Sequence, residues 1–384
     1  MNREELSSLL QKSNDKHIIL QLGTGFGKTK LALEYINRRF HKNDNILIVI
    51  PRLVLIDNWK EEIDKWGFNS LLSNIVFTTY VSLHKYAGNW KYVIFDEAHH
   101  LSERCKEILY SYNIEHAVFL SATLKREHKE FIRNKFIGVK EYTVGLKEAI
   151  ESNVLPKPKV YLIPMDLNTK EKVFTIIKKG KKDLKPLKIQ YKDRFKFRYY
   201  TGETHIECTQ YEYYTDLSNM IEWYKNRGFE KQWLFKSLER LKWLAEQKMN
   251  VVKQILKSLK SNRSIIFCAS IKQSEELNIP CVNSKKGTEN LDKFNNKKIN
   301  RIAVVNMLDE GINLINCRVG LFQMINSSDR LILQRQGRAL RHKNPIFIFP
   351  YYRNTREEEI INRIIMDYDK DLIEVVGDIN NFKF

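Results

Sequence analysis

Short apolar runs, each followed by a polar or amphipathic stretch, recur along the first third of the chain. Short buried runs that alternate with amphipathic segments are typical of a parallel β-sheet covered by helices on both faces. We therefore predict an α/β fold in which any ligand binds at the carboxyl ends of the strands. The predicted strands are residues 17–20, 46–50, 75–77, 92–95 and 117–120.

The same pattern restarts in the last third of the chain and predicts a second parallel sheet. The spacing of Thr355 and Glu358 is that of a capping box, which predicts a helix that begins there and buries one apolar face. That face consists of Ile360, Ile361, Ile364, Ile365 and Tyr368. The predicted strands of the second sheet are residues 264–267, 302–305, 319–322 and 346–349.

The middle of the chain has a different composition. Residues 157–198 contain 14 Lys or Arg against four Asp or Glu, and residues 188–199 alternate between basic and apolar side chains. This period of two predicts a strand with one cationic face, and the basic segment 179–182 predicts the turn of a hairpin. A charge run is commonly just a solvated face, and that alternative stays open. The cationic face would carry Lys188, Lys192, Arg194, Lys196 and Arg198.

Residues 215–259 carry apolar side chains at near-helical spacing, which predicts a helical connection packed on the second sheet. The segment includes four large aromatic side chains that either stack on nucleic-acid bases or fill a core. Burial is the commoner outcome for such side chains, so we expect them in the core. They are Trp223, Tyr224, Trp233 and Trp243.

Charge is the global property that changes this picture. The chain of 384 residues is 43% hydrophobic and 29% charged, with a formal net charge of +19. Such an excess attracts polyanions, of which nucleic acid is the commonest in a cytoplasm. No apolar run approaches the ~18 residues of a membrane span, and the first residues do not resemble a signal peptide, so we expect a cytoplasmic protein. Five scattered cysteines exclude a disulfide framework.

The first predicted strand leads into a glycine-rich segment, residues 21–29. Gly25 and Gly27 allow the backbone to curl so that its N–H groups point at a polyphosphate, and the following helix directs its positive end there. Lys28 would reach the β- and γ-phosphates, and the Thr29 hydroxyl would bind Mg²⁺. Leu22 stands where such loops usually have their first glycine. A glycine-rich turn with an accidental Gly-Lys-Thr is the alternative.

An acidic pair follows the strand predicted at residues 92–95. At the carboxyl end of a buried strand, Asp96 and Glu97 suit Mg²⁺-assisted hydrolysis. Asp96 would hold the metal, usually through water, and Glu97 would position or deprotonate the attacking water. An ordinary acidic helix cap is the alternative. The tripeptide Ser121-Ala122-Thr123 follows the next predicted strand.

Together these segments resemble the motifs of superfamily 2 helicases. Residues 21–29 resemble motif I, Asp96-Glu97-Ala98-His99 resembles motif II, and Ser121-Ala122-Thr123 resembles motif III. Two further segments resemble motifs Ia and Ib, with which the family holds the phosphates of one nucleic-acid strand. The first contains Pro51 and Arg52 with Leu55 and Trp59, and the second contains Thr78, Thr79 and Tyr80. The style of the motifs leans toward the XPB and type III restriction branch, which works mostly on DNA.

The second half contains segments that resemble motifs V and VI. The resemblance at residues 334–341 implies that Arg338 and Arg341 act on the γ-phosphate as arginine fingers, with Gln334 beside them. A basic helix face is the alternative for these arginines. The resemblance to motif V implies nucleotide contacts from Gly311 and Asn313, although many relatives carry Asp where this chain has Asn313.

The resemblance implies an α/β fold with two RecA-like parallel-sheet domains in tandem and a basic β-rich insertion and helical connection between them. The predicted domains are an ATP-binding lobe at 1–150, the insertion and connection at 151–259, and a second lobe at 260–384. ATP and Mg²⁺ are the implied cofactors. The remaining implied roles are nucleotide binding by Thr24, Gly25 and Gly27, and coupling by His99, Ser121 and Thr123.

The implied activity is that of a helicase or translocase that hydrolyses ATP between two lobes and moves along or unwinds nucleic acid. We expect DNA, in particular branched or forked DNA, as a partner rather than RNA, and a monomeric protein. A nucleic-acid-stimulated ATPase that remodels or clamps complexes without separating strands is the alternative.

Overall fold

The computed structural model describes residues 1–23, 25–197, 199–259, 262–287, 289–305, 316–326 and 342–382. Seven residues singled out in the sequence therefore lie outside the described residues. They are Thr24, Arg198, Gly311, Asn313, Gln334, Arg338 and Arg341.

A six-stranded sheet forms the first lobe and confirms the predicted parallel α/β architecture. Its strands are β1 (His17–Leu22), β2 (Ile46–Ile50), β3 (Ile75–Thr79), β4 (Asn89–Phe95), β5 (Asn113–Ser121) and β6 (Lys140–Val144). They lie in the order β3-β2-β4-β5-β1-β6, and every pair is parallel. Six helices accompany them: α1 (Arg3–Lys12), α2 (Lys28–Asn37), α3 (Leu55–Lys65), α4 (Glu103–Leu109), α5 (Arg126–Lys135) and α6 (Leu146–Glu151).

Both faces of this sheet are buried, which explains why its strands are continuous apolar runs. In β2, Ile46, Ile48 and Ile50 belong to one core and Leu47 and Val49 to the core on the opposite face. The alternation follows from the period of two in a strand. Polar side chains are therefore accommodated at the ends of the strands.

The second sheet contains a strand that the predicted domain boundaries assigned to the insertion. Its strands are β7 (Lys159–Met165), β11 (Ser264–Phe267), β12 (Cys281–Val282), β13 (Arg301–Val304), β14 (Val319–Phe322), β15 (Ile346–Tyr352) and β16 (Ile373–Val375). They are all parallel, in the order β12-β13-β11-β14-β15-β7-β16. The apolar residues 160–163 of β7 were not predicted as a strand because they lie in the basic segment 157–198. They are buried between β15 and β16. The second sheet thus begins before the insertion.

The insertion folds differently from the predicted hairpin. It forms a small sheet of β8 (Phe174–Lys178), β9 (Leu187–Gln190) and β10 (Thr204–Cys208). Here β10 lies in the middle, antiparallel to β8 and parallel to β9, so segment 179–182 does not join paired strands.

The predicted strand at 188–199 was also wrong beyond Gln190. A short 3₁₀ helix, Tyr191–Asp193, follows β9 because the Tyr191 side chain turns into the small core and is 6% exposed. The Arg194 guanidinium stacks over the Tyr191 ring at 3.7 Å. Lys192, Arg194 and Lys196 therefore do not line one face of a strand.

Helices form the connection predicted at residues 215–259. They are α7 (Gln210–Asn226), α8 (Glu230–Gln247) and α9 (Met249–Ser258). The expected burial of the aromatic side chains is correct for Trp243 but wrong for Trp223, which is 47% exposed; Tyr224 and Trp233 are partly buried. None of the helices in the described ranges has the length and apolar character needed to cross a membrane.

The described residues of the second lobe include three further α-helices: α10 (Ile271–Glu276), α11 (Glu289–Asn295) and α12 (Arg356–Ile365). Short 3₁₀ helices lie at Lys370–Leu372 and Ile379–Asn381 in the same lobe, and at Asn69–Asn74, Tyr80–Tyr86 and Ala98–His100 in the first lobe. The helix predicted from the capping box is α12. Thr355 caps it by accepting a hydrogen bond from the Glu357 N–H, and the Glu358 side chain accepts from Asn354 N–H rather than from Thr355.

A buried ion pair joins the helical connection to the second lobe. Lys248, between α8 and α9, donates from Nζ to Glu357 Oε1 at 2.6 Å and to the Pro350 carbonyl at 3.1 Å. The second Glu357 oxygen accepts from the Tyr352 N–H at 3.1 Å. The two side chains are 0% and 4% exposed, so neither has water as an alternative partner.

We expect Lys248→Met to lower the free energy of unfolding by about 3–5 kcal/mol, because it leaves the Glu357 carboxylate buried without its cation. Urea denaturation followed by circular dichroism measures this. Lys272→Met is the matched control: it breaks an exposed pair with Glu246 (3.0 Å) and should cost at most about 1 kcal/mol. The double variant Lys248→Met/Glu357→Leu should recover most of the loss. A single variant as stable as the parent would contradict the expectation.

Candidate nucleotide site and nucleic-acid face

Three loops meet at one edge of the first sheet because their strands are neighbours. The order β4-β5-β1 places the end of β1 beside the end of β5, with Gln21 in register with Ser121. On the other side of β5, Phe95 is in register with Phe119. The phosphate loop (residues 23–29), Asp96 and Ser121 therefore follow adjacent parallel strands at their carboxyl ends.

The phosphate loop has the backbone that its glycines predict. Gly25 and Gly27 have φ values of +90° and +98°, in the region that favours glycine. A Cβ at Gly27 would also come within 3.0 Å of Arg3 Nε. Gly27 precedes the first turn of α2, in which Lys28 and Thr29 lie. Two glycines thus allow the sharp entry that brings both side chains to the helix N-terminus.

Arg3 contacts this loop, and sequence reasoning missed it. Its Nε donates to the Phe26 carbonyl at 2.6 Å and its Nη2 to the Gly25 carbonyl at 3.3 Å. Carbonyl groups that turn outward to a cation are compatible with N–H groups that face an anion on the inside of the loop. Arg3 reaches the loop because α1 packs on α2. The local sequence around Arg3 does not predict this packing.

Lys28 is folded onto its own loop. Its Nζ donates to the Leu22 carbonyl at 3.1 Å. A flexible side chain with three N–H donors can exchange such a carbonyl for phosphate oxygens by rotation alone.

Asp96 and Glu97 lie at the end of β4. Asp96 Oδ2 accepts from Trp59 Nε1 at 2.9 Å, and the Asp96 carbonyl accepts from the Tyr80 hydroxyl at 2.7 Å. Glu97 has φ +50° and ψ +56°, a left-handed conformation that costs a residue with a side chain roughly 1–2 kcal/mol. Backbone strain of this kind is concentrated at functional sites.

The predicted coupling residues form one chain of contacts. His99 Nδ1 lies 3.4 Å from Glu97 Oε2 and 3.2 Å from Ser121 Oγ. Ser121 Oγ donates to the Thr123 carbonyl at 2.7 Å. Residues of the second and third motif-like segments are therefore physically joined, as their proposed roles require.

Comparison with known proteins agrees with this arrangement. Residues 2–126 match the family model described as type III restriction enzyme, res subunit, and residues 247–343 match the helicase conserved C-terminal domain. The chain belongs to the superfamily 2 helicases. It is of the XPB and type III restriction type within that superfamily, and its enzyme class is that of the ATP-hydrolysing helicases.

One curated protein and two solved structures illustrate what this chain is similar to. The DNA 3'-5' translocase XPB2 of Sulfurisphaera tokodaii is 25% identical over 357 residues, which cover 86% of this chain and 76% of XPB2. S. cerevisiae Dbp5 bound to RNA and ADP BeF3 is 12% identical with a TM-score of 0.61, covering 97% of this chain and 88% of Dbp5. The Pyrococcus furiosus Hef helicase domain is 13% identical with a TM-score of 0.53, and the match covers 94% of this chain and 97% of the Hef domain. These two structures show the fold, with two RecA-like domains.

The segments of this helicase that resemble motifs Ia and Ib lie at the ends of β2 and β3. Arg52 is exposed and Pro51 is partly buried. The Thr78 side chain is 2% exposed, so its hydroxyl is not presented to solvent. Thr79 Oγ1 accepts from the Ser82 N–H at 3.3 Å and caps the 3₁₀ helix that begins at Tyr80. Arg52 and the backbone are thus the accessible groups of these segments.

The basic side chains expected on the cationic face of the insertion are only partly available to bind nucleic acid. Lys192 is exposed, but Arg194 is partly buried and donates to the Tyr191 carbonyl at 3.0 Å. Lys196 pairs with Asp193 at 3.0 Å. The lysines between β8 and β9 are exposed and were not among the predicted nucleic-acid contacts. They are Lys179, Lys181, Lys182 and Lys185.

Charge at the site is costly to the fold. Burial raises the pKa of the Asp96 carboxyl to about 6, and the neighbouring Glu97 carboxylate adds to this effect. The hydrogen bond from Trp59 and the charge of Lys28 lower the pKa and offset only part of the rise. A carboxyl with a raised pKa destabilises the folded protein at neutral pH.

We expect Asp96→Asn to raise the free energy of unfolding of the metal-free protein at pH 7.5 by about 2–3 kcal/mol. The penalty is full above pH about 6 and disappears as pH falls toward 3.8, the ordinary pKa of Asp, because the unfolded state then binds the proton as the folded state already does. Denaturation in EDTA at pH 7.5 and pH 4.5 measures the difference. The exposed Asp183→Asn is the control, within about 0.5 kcal/mol of the parent. An Asp96→Asn protein less stable at pH 7.5 would refute this account.

Proposed function

We propose that this chain hydrolyses ATP and uses the energy to move along or unwind DNA. The observation that carries the proposal is the convergence of Lys28, Thr29, Asp96 and Glu97 at one sheet edge, joined through His99 to Ser121. Phosphate-binding, metal-binding and water-activating groups are thereby combined in the arrangement that phosphoryl transfer requires.

The donor set suits magnesium. The Thr29 hydroxyl and the Asp96 carboxylate are hard oxygen ligands, and Mg²⁺ is commonly held by one or two such groups together with water and nucleotide phosphates. When bound, the ion would neutralise charge that develops on the phosphates. Gly25 and Gly27 would present their N–H groups to the phosphates, and the resemblance also assigns Thr24 to nucleotide binding.

In this mechanism Lys28 rotates from the Leu22 carbonyl to the β- and γ-phosphates. Glu97 orients the attacking water and accepts its proton. The resemblance assigns Gln334, Arg338 and Arg341 to the γ-phosphate side, and Gly311 and Asn313 to the nucleotide. Hydrolysis then requires the second lobe to close on the first. Opening of the two lobes after hydrolysis would move them along a nucleic-acid strand.

DNA is the proposed track. The similar XPB2 protein is named a DNA 3'-5' translocase, and Arg52 with backbone groups of motifs Ia and Ib would hold one strand by its phosphates. Phosphate contacts discriminate weakly between DNA and RNA, so the substrate must be tested directly. We propose a monomer that acts in the cytoplasm.

Lys28→Ala and Glu97→Gln should each abolish ATP turnover. The first removes the cationic group that binds the phosphates, and the second removes the base that accepts a proton from water. Lys30→Ala, on the same helix and paired with Glu34 at 3.4 Å, is the control and should keep most of the activity. Phosphate release measures the three variants. Turnover that survives both site substitutions would refute the site.

Stimulation of the ATPase by single-stranded DNA, duplex DNA, forked DNA and single-stranded RNA decides the track. We expect the largest stimulation by forked or single-stranded DNA. A strand-displacement assay on the fork separates the two activities: a helicase releases the strand, whereas a remodelling or clamping ATPase hydrolyses ATP without release. No stimulation by any of the four polymers would overturn the proposal.

The insertion is proposed to grip a duplex arm or the displaced strand. The best test reverses Lys179, Lys181 and Lys182 to Glu, because these side chains are exposed, whereas reversal at Arg194 or Lys196 would also remove the contacts of these residues with Tyr191 and Asp193. We expect weaker DNA binding. The slope of the logarithm of the binding constant against the logarithm of salt concentration should become less steep by about 3, roughly one unit per lost phosphate contact. Basal ATPase activity should be unchanged.

The matched control for the insertion reverses Lys231, Lys253 and Lys257, exposed lysines of α8 and α9. This triple variant changes the net charge of the protein by the same amount as the first, but at positions outside the insertion. Fluorescence anisotropy at several salt concentrations compares the two triple variants. Equal loss of affinity in both would show a nonspecific charge effect and refute a gripping role for the insertion.

A further inference from the structure

Asp96 is held by aromatic side chains from both segments proposed to grip nucleic acid. Trp59 Nε1 donates to its carboxylate at 2.9 Å, and the Tyr80 hydroxyl donates to its carbonyl at 2.7 Å. The Asp96 N–H donates to the Val49 carbonyl of β2 at 2.8 Å. Three polar groups of one residue are thus each fixed by a different element.

Both aromatic donors are buried. Trp59 is 3% exposed and Tyr80 is 6% exposed. A buried N–H or O–H group that loses its acceptor has no water to replace it, so separation from Asp96 is unfavourable. Movement of either aromatic side chain must therefore move Asp96 or break its hydrogen bond to Asp96.

The positions of the two donors connect them to the strand-binding segments. Trp59 lies on α3, which begins at Leu55, three residues after Arg52. Tyr80 directly follows Thr79, the cap of its 3₁₀ helix. A phosphate that binds either segment would contact residues just before an aromatic side chain. That side chain, Trp59 or Tyr80, is hydrogen-bonded to Asp96.

We propose that Trp59 and Tyr80 are positioning residues that orient Asp96 toward the magnesium–nucleotide complex and transmit strand docking to it. The inference rests on the proposed function, because it requires both ATP hydrolysis and strand binding. The two residues act on different groups. Trp59 orients the carboxylate that would serve the metal, whereas Tyr80 fixes the backbone at the end of β4.

Trp59→Phe keeps an aromatic ring but removes the N–H donor. We expect the Mg²⁺ concentration for half-maximal ATPase to rise about tenfold, since removal of a group that orients a metal ligand commonly costs 10–100-fold in metal affinity or activity. Trp66→Phe is the matched control, because Trp66 donates its N–H to Glu62 at 2.7 Å, away from Asp96. An unchanged Mg²⁺ requirement in Trp59→Phe would overturn this role for Trp59.

An Asp96→Asn background separates positioning from packing. Fluorescent-nucleotide binding is measured with and without Mg²⁺ in the parent, in both single variants and in the double variant. If Trp59 acts through the carboxylate, Trp59→Phe weakens Mg²⁺-dependent binding in the parent but adds no further loss to Asp96→Asn. Equal losses in both backgrounds would show a packing effect and overturn the inference.

Tyr80→Phe tests transmission from the strand. We expect the ratio of DNA-stimulated to basal ATPase to fall about fivefold, a typical coupling between two sites, while DNA affinity by anisotropy stays within about twofold. Tyr112→Phe is the control, because that hydroxyl donates to the Leu83 carbonyl in the same region. A lower melting temperature with normal stimulation would assign Tyr80 to structure alone and overturn its role.

The outcomes distinguish this inference from the proposed function. If no nucleic acid stimulates the parent enzyme, the proposed function fails, whereas the Mg²⁺ titration still tests Trp59. If the parent enzyme is stimulated and both variants keep the parental Mg²⁺ requirement and stimulation, the proposed function stands and the positioning role is wrong.

Discussion

The site depends on one constraint: every strand of the first sheet runs in the same direction. Parallel strands are buried on both faces by their crossover helices, so chemistry has to be placed at their ends. The order β4-β5-β1 then brings three loops together that are separated by up to about a hundred residues in the chain. Motif spacing along the sequence matters less than adjacency in the sheet.

The same burial makes the site expensive. Asp96 and Glu97 place two carboxylates side by side where water is scarce, and Glu97 adds a left-handed backbone. Lys28 and the Trp59 N–H offset only part of this cost. The fold therefore tolerates a destabilised pair of residues at one edge, which is where a functional constraint outweighs stability.

Much of the fold follows from the sequence because apolar runs report burial directly. Five strands of the first sheet and four of the second were predictable in this way, whereas glycines and a capping residue indicated the phosphate loop and helix α12. The partner of a buried side chain across the fold is not predictable in this way, because periodicity does not say what the side chain contacts, as Trp59 and Lys248 show. Tyr191 shows another limit: perfect alternation predicted a strand, but burying that ring ended β9 at Gln190. At β7, lysines at the edges concealed a buried run.

On the proposed mechanism, ATP hydrolysis is controlled at two levels. The bonds from Trp59 and Tyr80 to Asp96 lie within the first lobe, so a strand docked on that lobe alone already acts on the carboxylate. The arginines that the family resemblance assigns to the second lobe act only on closure. Since free-energy contributions from separate steps add, their effects on the rate multiply. Strand binding would then precede productive closure, which suppresses ATP turnover by the free protein.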